Sequence, residues 1–319
     1  MWMPAESFET APHFSRYVTR NFDAPPSLAG EMPPLQLAIT ADDFGLSHPI
    51  NQAIMRAHRD GAVTHASLMI TGDAAEEAVA LARQAPNLAV GLHAVVVRGR
   101  PALSPEQIPH IVDAAGQFGD DPVRTGVHYF FSRRAQRDLA NELRAQFERF
   151  MATGLPLSHV DTHMHMHMHP TVLDLMLPLM RRYGVRRCRV PRDSFPLAAR
   201  HDRSRLLTKA AWAGVFGVLS RWAAWRMRRN GLNASGRTYG LMQSGHMDEL
   251  YVLELLKQIE DASAEIYFHP TLGQRVDALG ANPRDLETLL NARVKQAIQE
   301  RRLPQVPASN QPAVDLNAT

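Results

Sequence analysis

His159-Val-Asp-Thr-His-Met-His-Met-His-Met-His-Pro170 is the stretch from which the rest of the chain is best understood. In an extended strand, successive side chains point to opposite faces. His159, Asp161, His163, His165, His167 and His169 are then expected on one face, with Val160, Thr162, Met164, Met166 and Met168 on the other. A helix would scatter the same residues around its axis, so the alternation favours a strand with a dry side and a ligand-rich side. Neutral imidazole and carboxylate are what zinc and similar divalent ions bind. The plainer account is a histidine-rich surface strand that carries no ion, but six polar groups sharing one face favour the metal. A catalytic ion takes about three protein ligands and keeps a position open for water, so the remaining ligands are sought at other strand ends.

A chain of 319 residues with 45% hydrophobic content can bury a large core, as one elaborated domain or as a domain with appendages. The formal charge of +3 is too mild to argue for nucleic acid. The single cysteine, Cys188, excludes an internal disulfide and suits a reducing cytoplasm. Residues 1–34 lack a basic start followed by an apolar run, and no run of about 20 apolar residues occurs, so neither a signal peptide nor a spanning helix is expected. Residues 1–34 are expected to be a poorly ordered extension, and 304–319 a loose tail.

Leu35 to Thr40 is an apolar run followed by Ala-Asp-Asp-Phe-Gly, which sets two adjacent carboxylates at a strand end. Adjacent extended side chains diverge, so one of Asp42 and Asp43 can bind a metal while the other acts on its water. Alone, the pair would more simply cap the helix that Pro49 opens. Helix is expected over Ile50–His58 and Ala74–Arg83, and strand over Ser67–Ile70 and Leu88–Leu92, the latter ending in His93. Residues 94–133 show no clear period and contain several glycines and prolines, so a long loop is expected. Ala135–Met151 is an amphipathic helix, and Pro170 opens another that ends at Gly184. Arg187–Val190 is a further strand, Asp248–Asp261 a helix, Glu265–Phe268 a strand ending in His269-Pro270, and Pro283–Arg301 the last helix.

Strand and helix alternate at least six times, the pattern of a parallel sheet covered by helices. Asp42, Asp43, His93, His163 and His269 fall at or near strand C-termini, which share one face in a barrel. An open doubly wound sheet would also gather strand ends. The α/β barrel is preferred because ligands from the first, third and fourth strands must converge on one ion.

Four segments together resemble the YdjC-type carbohydrate deacetylases: Thr40-Ala-Asp-Asp-Phe-Gly45; Gly91-Leu-His93 with Gly99-Arg-Pro101; His159-Val-Asp-Thr-His163-Met-His165; and Phe268-His-Pro270. The similarity covers roughly residues 35–303. Within the family the chain is similar to the subgroup associated with hopanoid biosynthesis, on Val95-Val-Val-Arg-Gly-Arg-Pro101, Ile108-Pro-His-Ile-Val-Asp113, His128-Tyr-Phe-Phe131 and Arg189-Val-Pro-Arg192. The resemblance implies an incomplete or distorted (β/α) TIM-like barrel of about six or seven parallel strands, and metal-dependent removal of acetyl from an N-acetylated sugar. It implies Asp43, His93 and His163 as ligands of one divalent ion, magnesium or zinc, with Asp42 as base and His269 as candidate acid. Asp161, His165 and Arg192 are expected to orient ligands or substrate. Thr40 stands where asparagine is frequent, Thr71 where Asn-Gly is common, and Val96-Val97 where Leu-Thr is found.

Residues 203–247 contain no acid, and Arg205–Arg229 holds six basic side chains and three of the four tryptophans. This apolar and basic helical insertion either lies in a headgroup layer or packs on the barrel or a second subunit. Trp212, Phe216 and Trp222 are the expected contacts to a membrane or a lipid aglycone. Arg181, Arg182, Arg186, Arg187, Arg189 and Arg192 are expected to form a solvated basic face. The function expected is deacetylation of an N-acetylglucosaminyl group carried by a hopanoid glycolipid, in the cytoplasm or peripherally at the inner face of the membrane, by a monomer or homodimer. The rivals are a deacetylase of soluble chito-oligosaccharides or another metal hydrolase, and a non-enzymatic sugar-binding protein.

Overall fold

The computed structural model describes residues 37–302 except 186, 235, 260–262 and 276–278, so the expectations for 1–34 and 304–319 lie outside the described residues. In chain order the elements are β1 (Ala38–Phe44), α1 (His48–Arg59), β2 (His65–Leu68), α2 (Ala75–Arg83), β3 (Ala89–Ala94), α3 (Pro122–Phe131), α4 (Arg133–Ala152), β4 (Val160–Thr162), α5 (Pro170–Arg182), β5 (Arg187–Cys188), α6 (Phe195–His201), α7 (Leu206–Arg229), β6 (Asn233–Ala234), β7 (Arg237–Tyr239), α8 (Glu249–Gln258), β8 (Ala264–Phe268), α9 (Pro283–Leu290) and α10 (Ala292–Arg302).

The eight strands run in the order β6-β5-β4-β3-β2-β1-β8-β7, and every neighbouring pair is parallel. The two outermost strands, β6 and β7, are consecutive in the chain. A parallel bridge from Pro191 to Thr238, with Arg192 N donating to Thr238 O at 3.1 Å, brings the continuation of β5 against β7. The result is an incomplete, distorted barrel, in which β6 and β7 act as one interrupted strand.

The local reasons are plain. All seven residues of β1 are buried, as a strand covered on both faces requires. In α1, Ile50, Ala53, Ile54 and Ala57 recur at helical spacing and are buried, with Pro49 in the first turn. In α4, Leu139, Leu143, Phe147 and Phe150 face the core. Its buried Glu142 and Gln146 hold the loop after β3: Glu142 accepts from Ala102 N (2.6 Å) and Leu103 N (3.0 Å), and Gln146 exchanges two bonds with the backbone of Val95.

Four expectations are corrected. Residues 94–133 are not all loop, because Pro122–Phe131 forms α3, capped by Asp121, whose side chain accepts from Val123 N and Arg124 N. The stretch 203–247 is not only a helical insertion: α7 occupies 206–229, and the stretch also supplies β6 and β7 of the sheet. The last helix is two, with the Asn291 side chain accepting from Arg293 N and Val294 N between them. The histidine strand ends at Thr162. His163–Met168 is a 3-10 segment in which Met164 (φ 54°) and His165 (φ 53°) take the left-handed conformation, so the shared face stops at His163.

Candidate active site

The site starts where β1 ends. The register of β1 against β2 shifts between Ala41 and Phe44, and Asp43 adopts a left-handed φ of 63°. A bulge of this kind re-aims side chains, so Asp42 and Asp43 enter different company. Buried Asn51 of α1 fixes the turn that follows, accepting from Gly45 N at 2.7 Å and donating to Ala74 O at 3.0 Å.

Asp43 meets two histidines. Its Oδ1 lies 3.2 Å from His163 Nδ1 and 3.5 Å from His93 Nε2. One ligand atom from each of Asp43, His93 and His163 falls within 4.8 Å of the others, so this set fits a single divalent ion by chemistry and spacing. The other nitrogen of His93, Nδ1, is 2.7 Å from Asp161 Oδ1, the carboxylate-histidine pairing that aims a ligand nitrogen. Burial would push the Asp43 carboxyl up, but His163, His269 and His93 outweigh it and hold it well below the usual carboxylate range. Burial would likewise lower His93, but Asp161 and the Asp42-Asp43 pair push it up to about 9. Asp42, His93 and Asp161 make a second cluster of similar spacing. It is a poorer cation site, because an arginine already stands between its two carboxylates.

That arginine is Arg189, which the sequence assigned to a solvated basic face. The structure corrects this: its side chain is fully buried at the centre of the site. Nη1 and Nη2 donate to the two oxygens of Asp42 at 2.6 and 2.8 Å. Nε and Nη2 reach Glu265 Oε1 at 3.1 and 2.8 Å, Nη2 lies 2.9 Å from Asp161 Oδ2, and the guanidinium sits 4.7 Å from the centre of the Tyr267 ring. Thr40, one of the positions that depart from the family pattern, donates to Glu265 Oε1 at 2.8 Å. Burial would raise Glu265, but Arg189 and Arg187 outweigh it and hold its carboxyl at about 2. The signal for Arg189 was present in Arg187-Cys-Arg-Val190, where strand alternation sets the two arginines on one face and Cys188 and Val190 on the other.

Of the other expected residues, His269 Nε2 lies 4.0 Å from Asp42 Oδ2, and its backbone N is held by Asp285 at 2.8 Å. The His165 ring meets Tyr267, with Nε2 2.9 Å from the hydroxyl, and its buried Nδ1 has no partner. Arg192 is exposed and joins the site through its backbone alone among the contacts described. Trp212, Phe216 and Trp222 are half-buried against the core, and the Phe216 ring stands 6.1 Å from that of His165. They pack against the core with part of each side chain left exposed.

Two histidines of the run serve the structure. His159 packs against Gly91, where a Cβ would meet three ring atoms at 2.5 Å, and lies within hydrogen-bonding distance of Ser67 and Ser158. His167 bridges Thr162 Oγ1 (2.8 Å) and Arg189 O (3.0 Å). Burial pushes both down to about 4 from the ordinary 6.5. Between those values the unfolded chain takes up protons that the folded one refuses, so stability must fall as pH falls through this window. A shift of this size is worth about 3 kcal/mol per histidine. The thermal midpoint is expected to drop between about pH 6.5 and 4, and His167→Gln should flatten that slope. An unchanged slope in the variant would place the acid sensitivity elsewhere.

Over 151 residues the chain is 38% identical to a carbohydrate deacetylase of Brevibacillus brevis, covering 47% of this chain and 58% of that protein. A carbohydrate deacetylase of Geobacillus stearothermophilus is 40% identical over 150 residues, with the same shares. These matches span less than two thirds of either relative. A crystal structure from Enterococcus faecalis V583, provisionally described as a cellobiose-phosphate cleavage protein, agrees with a TM-score of 0.62 at 26% identity, over 84% of this chain and 95% of that one. The model of the family described as YdjC-like protein matches residues 36–300, a span that takes in the Asp pair, the three candidate ligands, Arg189 and His269, and this chain belongs to that family.

Proposed function

We propose that the chain is a metal-dependent carbohydrate N-deacetylase that removes acetyl from an N-acetylglucosaminyl group. The observation that carries this is the division of labour at the end of β1: Asp43 faces two imidazoles while its neighbour Asp42 is gripped by Arg189. A sugar-binding module has no use for the second, separately oriented carboxylate.

Asp43, His93 and His163 would hold the ion, and two nitrogens with one carboxylate oxygen suit zinc, with magnesium the alternative. When bound, it supplies a Lewis acid for the amide carbonyl and lowers the pKa of water. The rest is done by side chains of this chain. Asp42 takes the proton of the attacking water, with both of its oxygens held in place by Arg189 while each keeps a lone pair to accept with. His269, 4.0 Å from Asp42, gives a proton to the departing amine, which is otherwise a poor leaving group. Asp161 aims His93, and Tyr267 aims His165.

For the carrier of the sugar we propose a hopanoid lipid. This is supported by the motifs quoted for that subgroup and by the half-buried Trp212, Phe216 and Trp222, an apolar lining that a soluble sugar does not need. Among the described residues no helix is long and apolar enough to cross a membrane, so access to such a substrate would be peripheral.

Asp42→Asn tests the assignment. It keeps the shape but removes the basic oxygen, so turnover of soluble N-acetylchitobiose is expected to fall by about 10²-fold or more while bound metal stays. Near-normal turnover would remove Asp42 from the mechanism, and loss of the metal would make it a ligand.

A further inference from the structure

Two helices next to the site carry apolar side chains that are largely exposed among the described residues. On α3 these are Val123 (75% exposed), Val127, Phe130 and Phe131 (78%); on α7 they are Leu207 (87%), Val215, Val218 (66%) and Trp225. The spacing on each helix is that of one stripe, at 123, 127 and 131 and at 207, 215, 218 and 225. Both helices pack on α5 and on the 3-10 segment His163–Met168 that carries ligand His163. Both helices reach the same short run, for the half-exposed Phe130 ring lies 6.2 Å from that of His169 and the Phe216 ring 6.1 Å from that of His165. Scattered exposed apolar residues need no explanation, but a stripe on each of two helices packed on the same site segment does.

The charges around the stripes name the partner. Exposed Arg124, Arg133 and Arg134 flank the stripe of α3, and Arg205, Arg221 and Arg228 that of α7. Three of the neighbouring acids are engaged within the chain: Asp121 caps α3, Asp202 bonds Lys209 Nζ at 2.8 Å, and Asp174 holds Arg226, which leaves exposed Asp120 against the six arginines. A second copy meeting this face about a twofold axis would set arginine against arginine. Anionic headgroups would neutralise the arginines while their acyl chains take up the leucine, valine and aromatic side chains.

We infer that α3 and α7 form a docking surface for an anionic phospholipid bilayer, which brings the site to a substrate held in that bilayer. This deepens the lipid-linked reading of the substrate and rests on it for its purpose, while the binding itself is separately measurable. It also relocates the contact, which the sequence had assigned to the half-buried Trp212, Phe216 and Trp222.

The test is co-sedimentation of the full chain with vesicles of phosphatidylglycerol or of phosphatidylcholine. The wild type should pellet with the anionic vesicles, less so in high salt, and only weakly with the neutral ones. Leu207→Ser with Val218→Ser, and separately Val127→Ser with Phe131→Ser, should each weaken binding by about tenfold or more. Turnover of soluble N-acetylchitobiose should be unchanged in both, which also certifies that they fold. Should one pair misfold, Arg221→Gln with Arg228→Gln removes charge from an exposed surface and should lower anionic binding alone. Wild type left in solution with anionic vesicles at low salt overturns the inference. So does a dimer in gel filtration that the Leu207 and Val218 changes dissociate, because the face would then be a self-interface. A chain that binds vesicles but turns over no N-acetyl sugar would sink the proposed activity and leave the surface standing.

Discussion

Alanine at Asp43, His93 or His163 is expected to remove bound metal and turnover together. The Lewis-acid contribution of a bound ion is several kcal/mol, so the loss of rate should reach about 10³-fold or more in each variant. The three come from β1, β3 and the end of β4 of one sheet, so an unchanged thermal midpoint in each variant is the control that separates loss of the ion from loss of the fold. Asp161→Asn should lie between these and wild type. It leaves every ligand in place but removes the acceptor 2.7 Å from His93 Nδ1, and such orienting groups are worth about 10- to 100-fold in metal affinity. His167→Gln should keep the metal, since both ring nitrogens already have partners in Thr162 and Arg189. Elemental analysis of the purified variants, with turnover of soluble N-acetylchitobiose alongside, reads all of them. Equal metal in wild type and His163→Ala would sink the ligand set.

The parallel sheet was legible because its strands announce themselves by burial. Leu35–Thr40 and Leu88–Leu92 are apolar runs ended by chemistry-bearing residues; the second became β3 within two residues of its expected bounds, and the described part of the first lies in β1, which runs on through the Asp pair to Phe44. Two of the short strands, β6 and β7, carry no such signal. They lie after a long helix in a stretch without acids, and their pairing depends on partners more than 25 residues away in the chain. Long-range pairing of two- or three-residue segments cannot be read from local period.

At the site, the convergence of Asp43, His93 and His163 was legible and its setting was not. Strand alternation carried the histidine run correctly as far as His163. It failed beyond, because Met164 and His165 enter left-handed conformations that are uncommon for any residue but glycine and that no propensity rule anticipates there. That turn sends His165 to Tyr267 and His167 to the interior. Arg189 was hidden for a different reason. Among six arginines in twelve residues it looks like one more surface charge, and only the positions of Asp42, Asp161 and Glu265 on three other strands make it the buried counter-charge.

Arg189→Met is expected to be the most destabilising single change in the chain. It keeps most of the volume but leaves Asp42, Asp161 and Glu265 buried without their shared cation, and breaking a buried ion pair in this way costs about 3–5 kcal/mol. For a chain of this size that corresponds to a fall in thermal midpoint of roughly 6–15 °C. Arg189→Lys separates stability from aim. An ammonium restores the charge, so part of the midpoint should return, but a point charge cannot hold two oxygens of Asp42 and reach Glu265 at once as the planar fork does. Turnover of Arg189→Lys should therefore stay low, with metal content near wild type, because the ligand set is untouched. If Arg189 acts through Asp42, adding Arg189→Lys to Asp42→Asn should cost little further rate, since the group being aimed is already disabled. Strictly additive losses in that double variant would mean that Arg189 touches the reaction by another route, and wild-type turnover in Arg189→Lys would reduce it to a structural counter-ion.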